Sequence, residues 1–195
     1  MKPQLFAAAT LLASMTLGQT AFAADCAVDV EDPFALEAAA IEEIYACIKD
    51  DLAAGYATEG DAVASAYRDW TVSSTRPAVA GAHGNRLLYT FANDIAAEQY
   101  LKYADEGVTM PVGSVLAKES ITISAKKKAA VPGPLFIMTK GEAGSVPETN
   151  DWVYGGIQPN GKPMKFKQSF CHDCHIAWEA QDMLAYPLEE FRLAN

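Results

Sequence analysis

Cys171-His172-Asp173-Cys174-His175 is the stretch whose residue types and spacing carry the most chemistry in this 195-residue chain. Thiols three residues apart lie on one side of a helical turn. Both can therefore add to the vinyl groups of one haem while the adjacent imidazole, His175, ligates the iron, as in c-type haem attachment. Zinc, a redox-active dithiol and a disulfide are the competing readings. Zinc needs four ligands, and outside the motif the chain offers one other histidine, His83, and a distant cysteine pair. A thioredoxin-like dithiol belongs near the start of a βαβ unit, and no such unit is evident. The motif thus predicts one covalently attached haem c held by Cys171, Cys174 and His175.

The elements that must position this motif begin after an export segment. Residues 1–23 carry one early charge, Lys2, an apolar run over 5–17 and the small-residue pattern Ala21-Phe22-Ala23, which together read as a secretory signal. That run is too short to span a bilayer, and no later stretch reaches the roughly 20 apolar residues a span requires. The expectation is a periplasmic protein with a single haem-binding domain over 24–195. Cys26 lies near the expected cleavage site, but Asp25 before it is a poor fit to a lipoprotein signal. Net charge is -10, which repels nucleic acid and anionic membranes and favours a redox partner with a basic face. Two cysteines remain after haem attachment. In an oxidising compartment Cys26 and Cys47 are free to pair, tying the N-terminal arm to the first helix, with two free thiols as the alternative.

That first helix is visible in the three- and four-residue steps of Ile41, Ile44, Tyr45, Ile48 and Leu52, with Gly55 expected to close it. A shorter helix is predicted over about 61–70 with Val63, Tyr67 and Trp70 on one side, read as core, with the lining of a haem pocket as the alternative for the aromatics. Residues 71–85 read as loop, and His83, flanked by Gly81 and Gly84, reads as solvated and not as a second axial ligand. A strand follows over 86–91, then a helix capped at Asn93 or Asp94 and reaching about Ala104. The strongest strand is 114–124, one face carrying Val115, Ala117, Glu119, Ile121 and Ile123, the other Leu116, Lys118, Ser120 and Thr122. By pattern alone Lys118 is a solvent-facing lysine. Further strands are predicted over 135–139 and 151–158. Asn160-Gly161 then makes a hairpin that folds 164–169 back and delivers the chain to Cys171.

Only 20 residues follow His175. Met183 is the one methionine among them, and on a continuous helix it lies about 12 Å further along, unable to reach the opposite face of the iron. Met110, Met138 and Met164 read as core or turn residues. The expectation is an open distal position, which suits chemistry or gas binding.

Tyr67-Arg68-Asp69-Trp70, the strand from Arg86 to Asn93, Gly113-Ser-Val-Leu-Ala-Lys118-Glu119, the strand from Gly133, Asn150-Asp-Trp152-Val-Tyr154 and the C-terminal C-x-x-C-H occur in the order seen in the cytochrome P-460 family, which includes the cytochromes c prime-beta. The chain resembles that family over roughly 62–177. The resemblance implies an α+β fold, predominantly an antiparallel β-sheet with a few helices and a C-terminal haem c site, usually in a homodimer. It also implies oxidation of hydroxylamine on a five-coordinate haem, with electrons passed to another cytochrome. Lys118 matches the lysine that family members cross-link to the porphyrin. Arg86 matches a pocket arginine that holds a propionate or steadies an anionic nitrogen-oxide intermediate. If haem covers the face bearing Leu116 and Lys118, the awkward lysine acquires a reason. The base that hydroxylamine-oxidising relatives keep near the motif is missing from 162–169, and the nearest carboxylates in sequence to Lys118 and to the motif's cysteines are Glu119 and Asp173. A c prime-beta-like binder of nitric oxide or carbon monoxide, capped by Phe91, Phe136 or Phe166, is the competing class. A simple electron carrier is the third.

Overall fold

The computed structural model describes residues 26–193, and the expected export segment, residues 1–23, lies outside them. The fold is α+β: eight strands in one wholly antiparallel sheet, with helices on both faces. The strands are β1 (Cys26–Ala27), β2 (Thr71–Val72), β3 (Ala78–Ala80), β4 (Arg86–Ala92), β5 (Val115–Ser124), β6 (Ala129–Pro132), β7 (Leu135–Lys140) and β8 (Trp152–Ile157). The helices are α1 (Ala38–Tyr56), α2 (Ala62–Ala66), α3 (Asp94–Tyr100) and α4 (Gln168–His175).

β5 is the axis of the sheet. One edge pairs with β4 from Leu87↔Ile121 to Ala92↔Leu116. The other edge is shared, with β7 along Val115–Lys118 and β6 along Ile121–Ser124. The change of partner falls at Pro132-Gly133-Pro134, where Gly133 donates its N–H to the Ser120 carbonyl at 2.8 Å. A Cβ at position 133 would collide with Ser120, so the close approach requires glycine.

Because side chains alternate across a strand, this register sorts residues onto two covered faces. One face carries Leu87, Phe91, Ala117 and Ile121, packed under the Ile41, Ile44, Ile48 and Leu52 stripe of α1. The other carries Leu116 and Lys118 and looks towards α4. Lys118 therefore does not face solvent as its pattern suggested, because the C-terminal third of the chain lies over that face. Cys26 and Cys47 are joined in a disulfide with Cα atoms 6.0 Å apart, holding β1 to α1.

Several boundaries differ from the periodic reading. Gly55 lies inside α1, where a Cβ would strike the Pro159 carbonyl, and the helix passes through a 3-10 turn to close at left-handed Gly60, φ 75°. The expected loop 71–85 contains β2 and β3, both paired with β4. α3 stops at Tyr100, and residues 164–169 make no strand: Gln158 and Gly156 bond back to Lys162 and Met164, and α4 begins at Gln168.

Burial, followed by the charge of Glu119, raises the phenols of Tyr45, Tyr56 and Tyr67 above the ordinary value of 10.0. A raised pKa gives stability that is complete below the unfolded value and is lost as pH rises past it. Above about pH 10 the protein is therefore expected to lose stability steeply. The phenolate ultraviolet absorption of these tyrosines should appear together with loss of circular dichroism, not before it.

Candidate functional site

Gln168 explains how α4 comes to lie over the sheet. Its amide accepts from the Tyr154 N–H at 2.7 Å and donates to the Tyr154 carbonyl at 2.9 Å, pairing the helix start with β8 as another strand would. The helix then presents Cys171, Cys174 and His175 to one cavity of about 630 Å³, within the usual size of small-molecule sites. Its floor is the sheet face bearing Arg86, Thr90, Leu116, Lys118, Phe136 and Tyr154. Both thiols are free. Burial, then Cys174, raises the Cys171 thiol, the opposite of the lowered pKa that marks a reactive redox cysteine.

His175 is buried and its Nδ1 lies 2.7 Å from the Met183 carbonyl. A carbonyl only accepts, so Nδ1 carries the proton and Nε2 keeps the lone pair. That is how a protein fixes the tautomer of a metal-ligating histidine. The contact depends on a reversal absent from the periodic reading: α4 passes into a 3-10 segment kinked at Trp178, and left-handed Asp182 and Met183, φ 53° and 65°, turn the chain back. Met183 is thus not further along a continuous helix but beneath His175, contributing its backbone. Asp182 anchors the reversal. Buried, it accepts from the Met110 N–H at 2.8 Å, Lys140 Nζ at 2.7 Å and Asn150 Nδ2 at 3.2 Å. Neither residue carried a sequence signal, since the usual marker of such a turn is glycine.

Lys118 stands between Thr90 on β4 and Phe136 on β7 and lines the cavity. Its amine has no hydrogen bond or ion pair among the described residues, and burial lowers it to about 8. Arg86 donates from Nη1 to the His83 carbonyl at 2.6 Å and from Nε to Thr122 Oγ1 at 3.2 Å. His83 is not the solvated loop residue expected. It closes a 3-10 turn, Gly81–His83, packs at 5.0 Å on Phe136 and lines the same cavity as His175. Burial, then Lys118, lowers His83 to about 3 and His175 to about 4, so both are neutral imidazoles at neutral pH.

The remaining candidates divide by sheet face. Phe136 lines the cavity, while Phe91 belongs to the core under α1 and Phe166 packs beside Phe170. Glu119 points away from the cavity into the α1 face and Asp173 is exposed on α4. Among the described residues no carboxylate lines the cavity. Two thiols, a tautomer-fixed imidazole, an arginine and a lysine around a predominantly apolar cavity fit a haem: thiols for the vinyls, Nε2 for the iron, cations for the propionates.

A C-terminal C-x-x-C-H helix over one face of a single antiparallel sheet sets this protein among the β-sheet haem cytochromes and apart from the helical ones. The family model described as Cytochrome P460 matches residues 64–185, and the chain belongs to the cytochrome P460 family. Membership implies a haem cofactor. No curated protein was found to match the chain. Among the described residues no helix is long and apolar enough to cross a membrane.

Proposed function

We propose that the protein is an exported mono-haem c-type cytochrome that exchanges single electrons with another redox protein. The observation that carries this reading is the cavity lining, which pairs haem-attaching and haem-ligating groups and, among the described residues, holds no carboxylate. Haem, when bound, supplies an iron that cycles between ferrous and ferric states. Cys171 and Cys174 would hold it covalently. The Met183 carbonyl keeps His175 in one tautomer and orientation, which would make the imidazole a stronger donor to the iron. Arg86 and Lys118 would offset the propionate charge. Around the cavity mouth Phe34, Phe170 and Leu188 are 59%, 75% and 58% exposed, an apolar rim through which a partner would approach. The net charge of -10 favours a partner whose own rim is basic. The same rim suits the homodimer contact implied by the family.

Oxidation of hydroxylamine is a second reading, favoured by the unpaired Lys118 amine at the position of the family's cross-linking lysine. It requires a base for the substrate protons. Glu119 faces the other way, so among the described residues that part would fall to the neutral His83 imidazole or the Lys118 amine instead of a carboxylate.

Purified holoprotein is expected to give the haemochrome spectrum of a haem attached by two thioethers, and Cys171→Ala with Cys174→Ala should leave haem extractable by acid acetone. With hydroxylamine and an acceptor cytochrome, reduction is expected to stop after about one electron per haem. Sustained turnover would establish the second reading in place of the first. Peptide mapping separates them further: a free Lys118 peptide is expected for the carrier, and a haem-linked one for the P-460 type of site.

A further inference from the structure

Across the cavity the ring of His83 lies close to that of His175, with centres 6.4 Å apart and planes at 86°. Two imidazoles on opposite sides of one metal, with about 2 Å per bond and about 1 Å from nitrogen to ring centre, hold their centres about 6 Å apart. A base acting in line through an interposed ligand would stand about 9 Å away, adding a second bond and a hydrogen bond of about 3 Å. The observed separation fits direct ligation.

The turn carrying His83 is built to hold the ring there. Gly84, φ 72°, closes it with a 3.0 Å bond to the Gly81 carbonyl, a left-handed conformation that favours glycine. Arg86, fixed to Thr122 on β5, grips the His83 carbonyl at 2.6 Å, and Phe136 packs on the ring at 5.0 Å. Yet neither ring nitrogen has a hydrogen-bond partner among the described residues. A ring so restrained, 6.4 Å from a second imidazole whose Nδ1 alone is engaged, has the spacing and the hold of the second of two ligands to one metal.

We propose that His83 is the second axial ligand, so that the resting haem iron is six-coordinate with one histidine on each face. This rests on the haem c reading above and replaces the expectation of an open distal position. It turns the site towards electron transfer, since a small ligand must first displace His83. Lys118, whose amine also points unpaired into the cavity, is the rival for the position.

Electron paramagnetic resonance and absorption spectra of the ferric holoprotein test this. The expected result is a low-spin haem with the highly anisotropic signal of near-perpendicular imidazoles. His83→Gly should lose it and become high-spin, and added imidazole should restore it. Should that variant fail to fold, the native protein carrying a histidine-specific nitrogen isotope label still decides: pulsed resonance is expected to detect two axial imidazoles. A high-spin native protein, a single axial imidazole, or a low-spin state that survives His83→Gly overturns the proposal. Absence of any haemochrome spectrum would instead overturn the haem c reading itself, so the two failures are distinguishable.

Discussion

Asp182→Ala is expected to destabilise the protein by about 3–5 kcal/mol, the usual cost of removing one partner from a buried ion pair. Lys140 Nζ sits 2.7 Å from this carboxylate with only 11% of its side chain exposed, so its charge would be stranded. The Met110 N–H loses its acceptor as well, while Trp152 Nε1 keeps the Asp182 backbone carbonyl at 2.9 Å. Alanine also pays for the left-handed backbone at φ 53°, about 1–2 kcal/mol. Asparagine tolerates that conformation and keeps an acceptor oxygen, so Asp182→Asn should cost roughly half as much. Thermal unfolding reads the difference, with Tm expected to fall by roughly 10 °C for the alanine variant. A merely structural role would end there. Asp182 is followed directly by Met183, whose carbonyl fixes the His175 tautomer, so the haem reduction potential should shift in both variants even at temperatures where they are fully folded. An unchanged potential would mean that the reversal does not position His175.

What the sequence made legible in this chain was local or periodic. The α1 stripe, the alternation of β5, the cap at Asn93 and the C-x-x-C-H turn each follow from neighbours within a few residues, and each occurs where expected. Lys118 was half legible: the pattern gave its face correctly but not that the face would be covered, because the cover is supplied by chain some 50 residues further on. His83 and Met183 were misread for a related reason. One packs against rings carried by other elements, and the other depends on a left-handed pair at Asp182-Met183 that no glycine announces. Glu119 was considered as a base from its proximity in sequence to Lys118. Alternation puts neighbouring strand residues on opposite faces, and that rule alone separates the two.

Glu119→Leu is the second large effect expected, again about 3–5 kcal/mol. The carboxylate is 1% exposed and accepts from Tyr67 at 2.6 Å, Tyr45 at 2.8 Å and Arg68 at 2.7 Å. Leucine leaves a guanidinium and two phenols without their acceptor, whereas Glu119→Gln keeps an acceptor and forfeits the charge, for about 2 kcal/mol. Pairing Glu119→Leu with Arg68→Met should recover part of the loss, because the stranded cation goes with its partner and methionine still packs on the Tyr45 and Phe91 rings that the guanidinium covers. The larger consequence is register. A slip of β5 by one residue would turn Glu119 into the cavity and Lys118 into the aromatic layer under α1, exchanging every side chain between the faces. Glu119, clamped by α1, by the turn after α2 and by Arg68, makes that slip prohibitively expensive and so keeps Lys118 aimed into the cavity. The double variant, with neither charge present, is therefore expected to refold with a measurable fraction lacking the native haem spectrum, while Glu119→Gln refolds to one spectrum. Native spectra throughout the recovered double variant would show that the β4 and β7 pairings hold the register without the carboxylate.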